Sequence, residues 1–411
     1  MELSRVYTLI IPTHNRPDEL GRLLRYIGRK ANGVPVLILD SSDEPNHFRN
    51  SRAISEASLW VRHIRSSSQT AILQKWANGV ALVTTPYCSI CADDDVVFFE
   101  AIKECISILE SEDDAIGAHG RYVNFRSNDS QIDVSNIVYS VNGSGKSAID
   151  RLCVYFRNYE SPMYGVYRKD VLLATLEYAR KAPPVLFQEL LQAAGAFVRG
   201  QVRRADALYY ARSTDRSLPY TNWHPQEILA NNPETLLDLY STYRTLLVDL
   251  CLTDEDVRRS YSVDTVRRIV DLVHLRYLTP LLDSSILDFM ITEQMKGKGG
   301  RGIADLIWDR WVYSGQIPNA RRRTNWLLAS ESIITVHNKA VQNLPPLLVK
   351  LFMRLRRSLG EANYSIESEL SDGAVRRYVF HSELLTPQSA TSPYLTKHDV
   401  HSLMENLNAY Y

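Results

Sequence analysis

Residues 87–95 read YCSICADDD, a run of small and apolar side chains that ends in three consecutive aspartates. Its reading decides the fold. Tyr87 to Ala92 has the continuous apolar character of a strand covered on both faces. Ala71 to Val83 before it and Val96 to Leu109 after it carry apolar residues at helical spacing. A buried strand framed by helices is the unit of a mainly parallel sheet, and such sheets bind ligands at the carboxyl ends of their strands. Asp93, Asp94 and Asp95 stand at such an end.

Outward from this stretch the alternation recurs. Val6 to Ile11, VYTLII, is strand-like and stops at Pro12, after which Leu20, Leu23, Leu24 and Ile27 share one face of a helix over Arg16 to Lys30. Val34 to Leu39 is a second apolar strand, ending at Asp40 and the polar SSDEPN. Three strand ends thus bring polar groups to one edge: Pro12-Thr13-His14-Asn15-Arg16, Asp40-Ser41-Ser42-Asp43 and the aspartate triplet. Ile116 to Phe125 reads as a further strand, RSNDSQIDVSN (residues 126–136) as a surface loop, Arg168 to Arg180 and Pro184 to Phe197 as helices, and Ala205 to Ala211 as a short strand. Beyond Asn222 long amphipathic segments such as PETLLDLYSTYRTLLVDL take over, without an internal repeat. The expected organisation is an α/β domain over residues 1–220 and a mostly α-helical region over 221–411 for acceptor, oligomer or membrane contacts.

Two readings of the acidic corner are open. Aspartate caps helix N-termini and suits the helix dipole, so the triplet can be a solvated turn. Alternatively its oxygens suit a hard cation such as Mg²⁺ or Mn²⁺, which binds phosphates alongside one or two carboxylates.

At these residues the chain resembles the family-two glycosyltransferases, inverting enzymes whose catalytic domain has the nucleotide-diphospho-sugar-binding (GT-A) fold. The resemblance covers about residues 5–215 and rests on TLIIPTHNRPDELGRLL, LILDSSD, ILQKWANGVALVTTPYCSICADDD and FQELLQAAGAFVRG. It implies that Pro12 and Thr13 lie beside the nucleotide, that Asp40 accepts hydrogen bonds from the base, and that Arg16 and Lys75 serve the nucleotide or its phosphates. The triplet becomes the DXD element, holding Mn²⁺ or Mg²⁺ and touching the ribose, with Asp93 and Asp95 as the outer pair and Asp94 as a further ligand. Ala92 departs from the pattern, standing where many relatives begin their acidic run.

Transfer to a hydroxyl needs a carboxylate that removes the acceptor proton. The resemblance assigns this to Glu189, where relatives carry an acidic pair ending in Asp; here Gln188 replaces the first acid and Glu the second. It also places Tyr164 under the acceptor and Arg212 in a loop that folds over the donor diphosphate. From the residues alone, Glu189 is equally an exposed helix carboxylate, Tyr164 a sheet-packing ring and Arg212 a solvated arginine.

The composition fits an ordinary globular protein: 411 residues, 45% hydrophobic, 23% charged. Forty-seven basic and forty-seven acidic residues leave no net field to attract nucleic acid. No run reaches the roughly 18 apolar residues of a membrane span, and no signal peptide is apparent, so a cytoplasmic location is expected. Five scattered cysteines speak for a reducing compartment. Cys88 and Cys91 form a CxxC without a second pair and read as buried thiols rather than zinc ligands. KGKGGRG (residues 296–302) lacks the Walker ending and reads as a basic loop. PPLLVKLFMRLRRSLG (residues 345–360) separates a leucine stripe from basic residues and is a candidate for peripheral contact with the inner face of a membrane.

The expected function is metal-dependent transfer of a sugar from a nucleotide-diphosphate donor, UDP-linked by preference, to a glycan or protein hydroxyl, with inversion. A homo-oligomer is compatible with the sequence. The alternatives are a sugar nucleotidyltransferase, for which THNRPDEL lacks the Gly-rich loop, and a non-catalytic binding module, which the departures at Ala92 and Gln188 keep open.

Overall fold

Successive side chains of a strand point to opposite faces, so a strand covered by helices on both sides divides its residues between two cores. β1 (Tyr7–Thr13) does this. Leu9 and Ile11 join one core with Leu20, Leu23 and Leu24 of α2 (Pro17–Lys30), while Ile10 joins the other with Leu73 and Trp76 of α4 (Ile72–Ala81). β2 (Val36–Asp40) is buried along its whole length for the same reason. The computed structural model describes residues 2–128, 131–139, 143–157, 162–183, 186–214, 233–271, 273, 364–370, 375–380, 384–385 and 394–411.

The remaining elements in chain order are α1 (Leu3–Val6), α3 (Glu44–Glu56), β3 (Val61–Arg65), β4 (Tyr87–Ile90), β5 (Val96–Val97), α5 (Phe99–Ser111), β6 (Ala115–Ser127), β7 (Gln131–Tyr139), α6 (Ala148–Arg157), β8 (Val166–Arg168), α7 (Lys169–Ala179), α8 (Leu186–Arg199) and β9 (Gln201–Ser213). After them come α9 (Pro233–Cys251), α10 (Glu255–Ser260), a helical stretch at 263–271, β10 (Tyr364–Glu369), β11 (Val375–Phe380) and α11 (Lys397–Tyr410). All described strands form one sheet, ordered β10-β11-β7-β6-β8-β4-β1-β2-β3, with β9 pairing β6 and β5. Strands β3, β2, β1 and β4 are parallel, as the alternating pattern predicts. Beyond β4 the sheet is mixed, because β8 runs antiparallel to both β4 and β6.

Three expectations change. Residues 126–136, read as a loop from their Ser and Asn content, end β6 and begin β7, which pair antiparallel. The period-two alternation of Ile132 and Val134, both buried, outweighs that composition. Val96 and Val97, read as the start of a helix, form β5 against Ala211 and Tyr210 of β9, and α5 begins only at Phe99. β9 is thirteen residues long rather than a short strand.

The region after residue 221 is mostly helical where described, and it serves the sheet. Tyr243 of α9 stacks at 5.2 Å on Phe187 of α8. β11 pairs in parallel with β7, and α11 packs on α2. These last elements therefore complete the sheet and core of the segment assigned to residues 1–220. Residues 296–302 and 345–360 lie outside the described residues. Among the described residues no helix is long and apolar enough to cross a membrane. Cys88 and Cys91 are free, fully buried thiols, and burial pushes Cys88 up to about 12.

Arg121 of β6 locks the C-terminal helix in place. Its Nη2 donates to both carboxylate oxygens of Asp399 at 2.8 Å, and Asp399 in turn closes the capping box of α11 with Thr396. Arg121 and Asp399 are 8% and 4% exposed. Removing one partner of such a pair costs about 3–5 kcal/mol. Arg121→Ala is expected near the lower end of that range in urea unfolding, since Thr396 still donates to Asp399; an unchanged midpoint would show that the pair does not hold α11.

Candidate active site

The polar edge predicted from three strand ends exists. Thr13 ends β1, Asp40 ends β2, and the aspartate triplet follows β4. The loops are bound to one another by residues whose types suit the task. Asn15 has φ 56, a left-handed conformation that asparagine tolerates better than most residues. Its amide donates to Ser42 Oγ at 2.8 Å, and its Oδ1 accepts from the Asp43 amide at 2.9 Å. Lys75, 8% exposed, extends from α4 to donate to Ser41 Oγ at 2.8 Å and to the Thr13 carbonyl at 3.2 Å. Burial lowers its pKa, opposed by the charges of Asp93 and Asp40. Lys75 thus fastens the β1 and β2 ends together.

The three aspartates are treated differently. Asp93, 4% exposed, accepts from Thr13 Oγ1 at 2.7 Å and from Arg16 at 3.2 Å. Burial raises its pKa to about 6 despite Arg16. Asp95, read from the sequence as half of the outer metal pair, turns into the sheet: Tyr210 Oη bonds one oxygen at 2.8 Å and the Ser213 amide donates to the other at 2.7 Å. Burial, reinforced by Asp94, pushes its pKa up to about 8. Asp94 remains at the rim, with one oxygen 2.8 Å from the Arg16 guanidinium and 20% of its side chain exposed. The donor set suits a hard cation: Asp94 would hold it at the rim alongside phosphate oxygens, whereas both oxygens of Asp93 are engaged by Thr13 and Arg16.

Asp40 is also enclosed. Its side chain is inaccessible, and its oxygens accept from the Ser42 amide at 2.8 Å and Asn50 Nδ2 at 3.0 Å, with His47 Nδ1 at 2.8 Å and His63 Nε2 at 3.1 Å. Burial opposes ionisation, yet these hydrogen bonds hold the pKa well below the usual carboxylate range. In this structure Asp40 offers no accessible oxygen at the edge, and the groups beside it are the ones open to a ligand. The exposed ring of His14, anchored by Nδ1 2.8 Å from the Ser41 carbonyl, is such a group. Pro12, between Ile11 and Thr13 in β1, is half-buried.

On the other flank, α8 begins at Leu186 and carries Glu189 in its first turn. Phe187, buried against Tyr243, and Gln188, which donates to the Ala182 carbonyl at 3.1 Å, fix the start of the helix. Glu189 is part-buried, and desolvation raises its pKa against the attraction of Arg212. Tyr164 stacks one face on Tyr210 at 5.2 Å. Burial raises its pKa, with further contributions from the charges of Asp95 and Glu189. Asp95, Tyr164, Glu189 and Arg212 therefore form one electrostatic neighbourhood, which joins the acidic corner to the expected acceptor side.

Residues 8–174 match the family model described as Glycosyl transferase family 2. The chain carries a family-two glycosyltransferase domain. The match takes in the acidic corner and Tyr164, whereas Glu189 and Arg212 lie beyond it. Among solved structures, the chain is similar to S. aureus TarS 1–349 in complex with UDP-GlcNAc, at 12% identity and a TM-score of 0.47 over 69% of this chain and 80% of that one. The same protein in complex with UDP gives 11% and 0.47 over 82% and 92%. S. aureus TarS itself gives 12% and 0.40 over 69% and 48%. No curated protein matches the chain.

His14, Asn15, Tyr210 and Ser213 escaped the sequence reading as site residues. Asn15 was legible in principle, being a turn-forming residue between a strand and a helix. Tyr210 and Ser213 come from a strand more than a hundred positions away, and only the pairing of β5 with β9 reveals them.

A carboxyl group whose folded pKa lies above its unfolded value binds more protons when folded, so its contribution to stability falls as pH rises between the two values. For Asp95 that window runs from 3.8 to about 8. Asp95→Asn retains an acceptor for Ser213 and a donor for Tyr210. Thermal melts from pH 6 to 8, above the value of Asp93, are expected to decline in the native chain and to stay flatter in this variant; parallel declines would place an ionised carboxylate at Asp95.

Proposed function

We propose that the chain transfers a sugar from a nucleotide-diphosphate donor, UDP-linked by preference, to a hydroxyl of a glycan or protein acceptor, with inversion at the anomeric carbon. The observation that carries this reading is the meeting, in one electrostatic neighbourhood, of an acidic rim at Asp94 with a part-buried carboxylate at Glu189. A bound Mn²⁺ or Mg²⁺ supplies charge neutralisation for the diphosphate as it departs.

The chain's own groups divide the remaining work. Thr13 and Lys75 set the floor on which the nucleotide lies, and His14 offers its exposed ring to the base. Arg212, exposed at the end of β9, is placed to meet the diphosphate. Glu189 accepts the proton of the acceptor hydroxyl as that oxygen bonds the anomeric carbon and the bond to the diphosphate breaks. Desolvation makes it a stronger base than a solvated glutamate, provided that it is ionised. Tyr164, stacked on Tyr210, gives the acceptor sugar an aromatic wall. Positioned proton transfer contributes about 10²–10⁴-fold, and electrostatic stabilisation of the leaving group is the larger part.

Release of UDP or GDP from a panel of nucleotide sugars, with and without Mn²⁺, tests the reading. Asp94→Asn is expected to abolish metal-stimulated release with the fold intact, because this side chain is at the rim. UDP binding without turnover of any donor would leave a binding module.

Glu189→Gln should retain donor affinity and lose transfer by about 10²–10⁴-fold. Because the pKa of Glu189 is raised, the native rate should fall on acidification at a pH above the ordinary glutamate range. Loss of donor binding in this variant, or an acid limb at the ordinary glutamate value, would remove Glu189 from the role of base.

A further inference from the structure

The end of β2 gathers a second set of metal-ligating groups that the proposed transfer does not use. Asp40 lies at the last position of β2, His47 in the first turn of α3, and His63 on β3. The parallel register sets His63 opposite Ile38, two positions before Asp40, so the two side chains share one face of the sheet. His47 Nδ1, His63 Nε2 and a carboxylate oxygen of Asp40 all lie within 4.8 Å of one another. The imidazole rings stack at 5.0 Å with planes 29° apart.

We propose that Asp40, His47 and His63 bind one Zn²⁺-type transition-metal ion, separate from the hard cation expected at Asp94. Imidazole with carboxylate is a ligand set for zinc rather than for Mg²⁺. Tetrahedral bonds of about 2.0–2.1 Å set ligand atoms roughly 3.3 Å apart. Both nitrogens already stand close to that distance from a single oxygen, Asp40 Oδ2, at 2.8 and 3.1 Å. Opening these contacts by about 0.2–0.5 Å, and drawing the two nitrogens, which lie within 4.8 Å of each other, toward the same spacing, makes room for the ion.

The surroundings are built for a fixed carboxylate. The Ser42 amide holds Oδ1, and Asn50 Nδ2 donates to Oδ2, which are the outer-shell bonds that orient a metal-bound carboxylate. Each histidine side chain is 19% exposed while Asp40 is sealed, so the ion enters from the histidine side and completes its shell with water. To ligate, each ring carries its proton on the nitrogen that faces away from Asp40. The ion would tie α3 and β3 to the end of β2, next to the edge on which the nucleotide lies.

The full chain, stripped with chelator, is titrated with Zn²⁺ and with Co²⁺ as a spectroscopic stand-in. The expected result is one equivalent of tightly bound metal, visible Co²⁺ bands of a tetrahedral N/O site, and no displacement by excess Mg²⁺. His47→Ala and His63→Ala should each weaken binding by more than the 10–100-fold seen for outer-shell changes, and Asp94→Asn should leave it unchanged. His63→Gln provides a milder variant should His63→Ala fail to fold. Absence of stoichiometric binding, binding indifferent to both histidine variants, or loss of binding in Asp94→Asn overturns the proposal and leaves a hydrogen-bonded trio.

Discussion

Three adjacent carboxylates cannot all be ionised at a sheet edge without a counter-charge, and the Arg16 guanidinium is the group that makes the edge possible. One nitrogen reaches both Asp93 and Asp94, at 3.2 and 2.8 Å. Arg16 is the residue immediately before α2, whose first helical residue is Pro17. Proline at the start of a helix restricts the preceding residue and fixes its own φ, so the chain turns sharply out of β1 just where the guanidinium must fold back. Asp95 answers the same repulsion by withdrawing into the sheet, where burial and Asp94 disfavour its ionised form. What remains for solvent and ligands is essentially one carboxylate, Asp94, with the guanidinium of Arg16 beside it.

This resolution depends on distant strands. Asp95 is received by Tyr210 and Ser213, which reach it because β5 pairs with β9 directly after the triplet. Tyr210 also stacks on Tyr164, which sits on the acceptor flank. Asp95 is therefore a joint between the two flanks of the site as well as a local accommodation. Lys75 performs the equivalent service between β1 and β2, donating to the Thr13 carbonyl and to Ser41 Oγ, which already donates to that same carbonyl.

The parallel half of the sheet was legible because a strand buried on both faces has few alternatives: VYTLII, VLIL and YCSI leave no polar position to face water. The acidic corner was legible for the opposite reason, an expensive arrangement that composition does not explain. Residues 126–136 were misread because loop-forming residues can also fill the less buried face of a strand, where their types are neutral and only Ile132 and Val134 report the pairing. Residues 44–65 were opaque for a related reason. Asn50 is the only buried residue of α3, and none of β3 is fully buried, so neither element shows the apolar periodicity by which helices and strands are recognised. His47 and His63 lie in that opaque stretch. Their association with Asp40 follows from register and could not follow from spacing.

Asp95 and Glu189 differ in hydrogen bonding more than in the desolvation they share. Both carboxyls have raised pKa values, with desolvation as the leading cause, and both are touched by Arg212. Asp95 has each oxygen committed, to Tyr210 and to the Ser213 amide, and is 3% exposed, so no proton can be exchanged with a substrate without dismantling β5. Glu189 accepts no hydrogen bond among the described residues and keeps part of its surface open. A base must be poised but free at the oxygen that receives the proton. Desolvation without a committed donor meets that condition, and Arg212 keeps the cost of ionisation tolerable. On these grounds the base proposed for the transfer is the carboxylate whose environment is incomplete, with room at its oxygens for the hydroxyl of an acceptor.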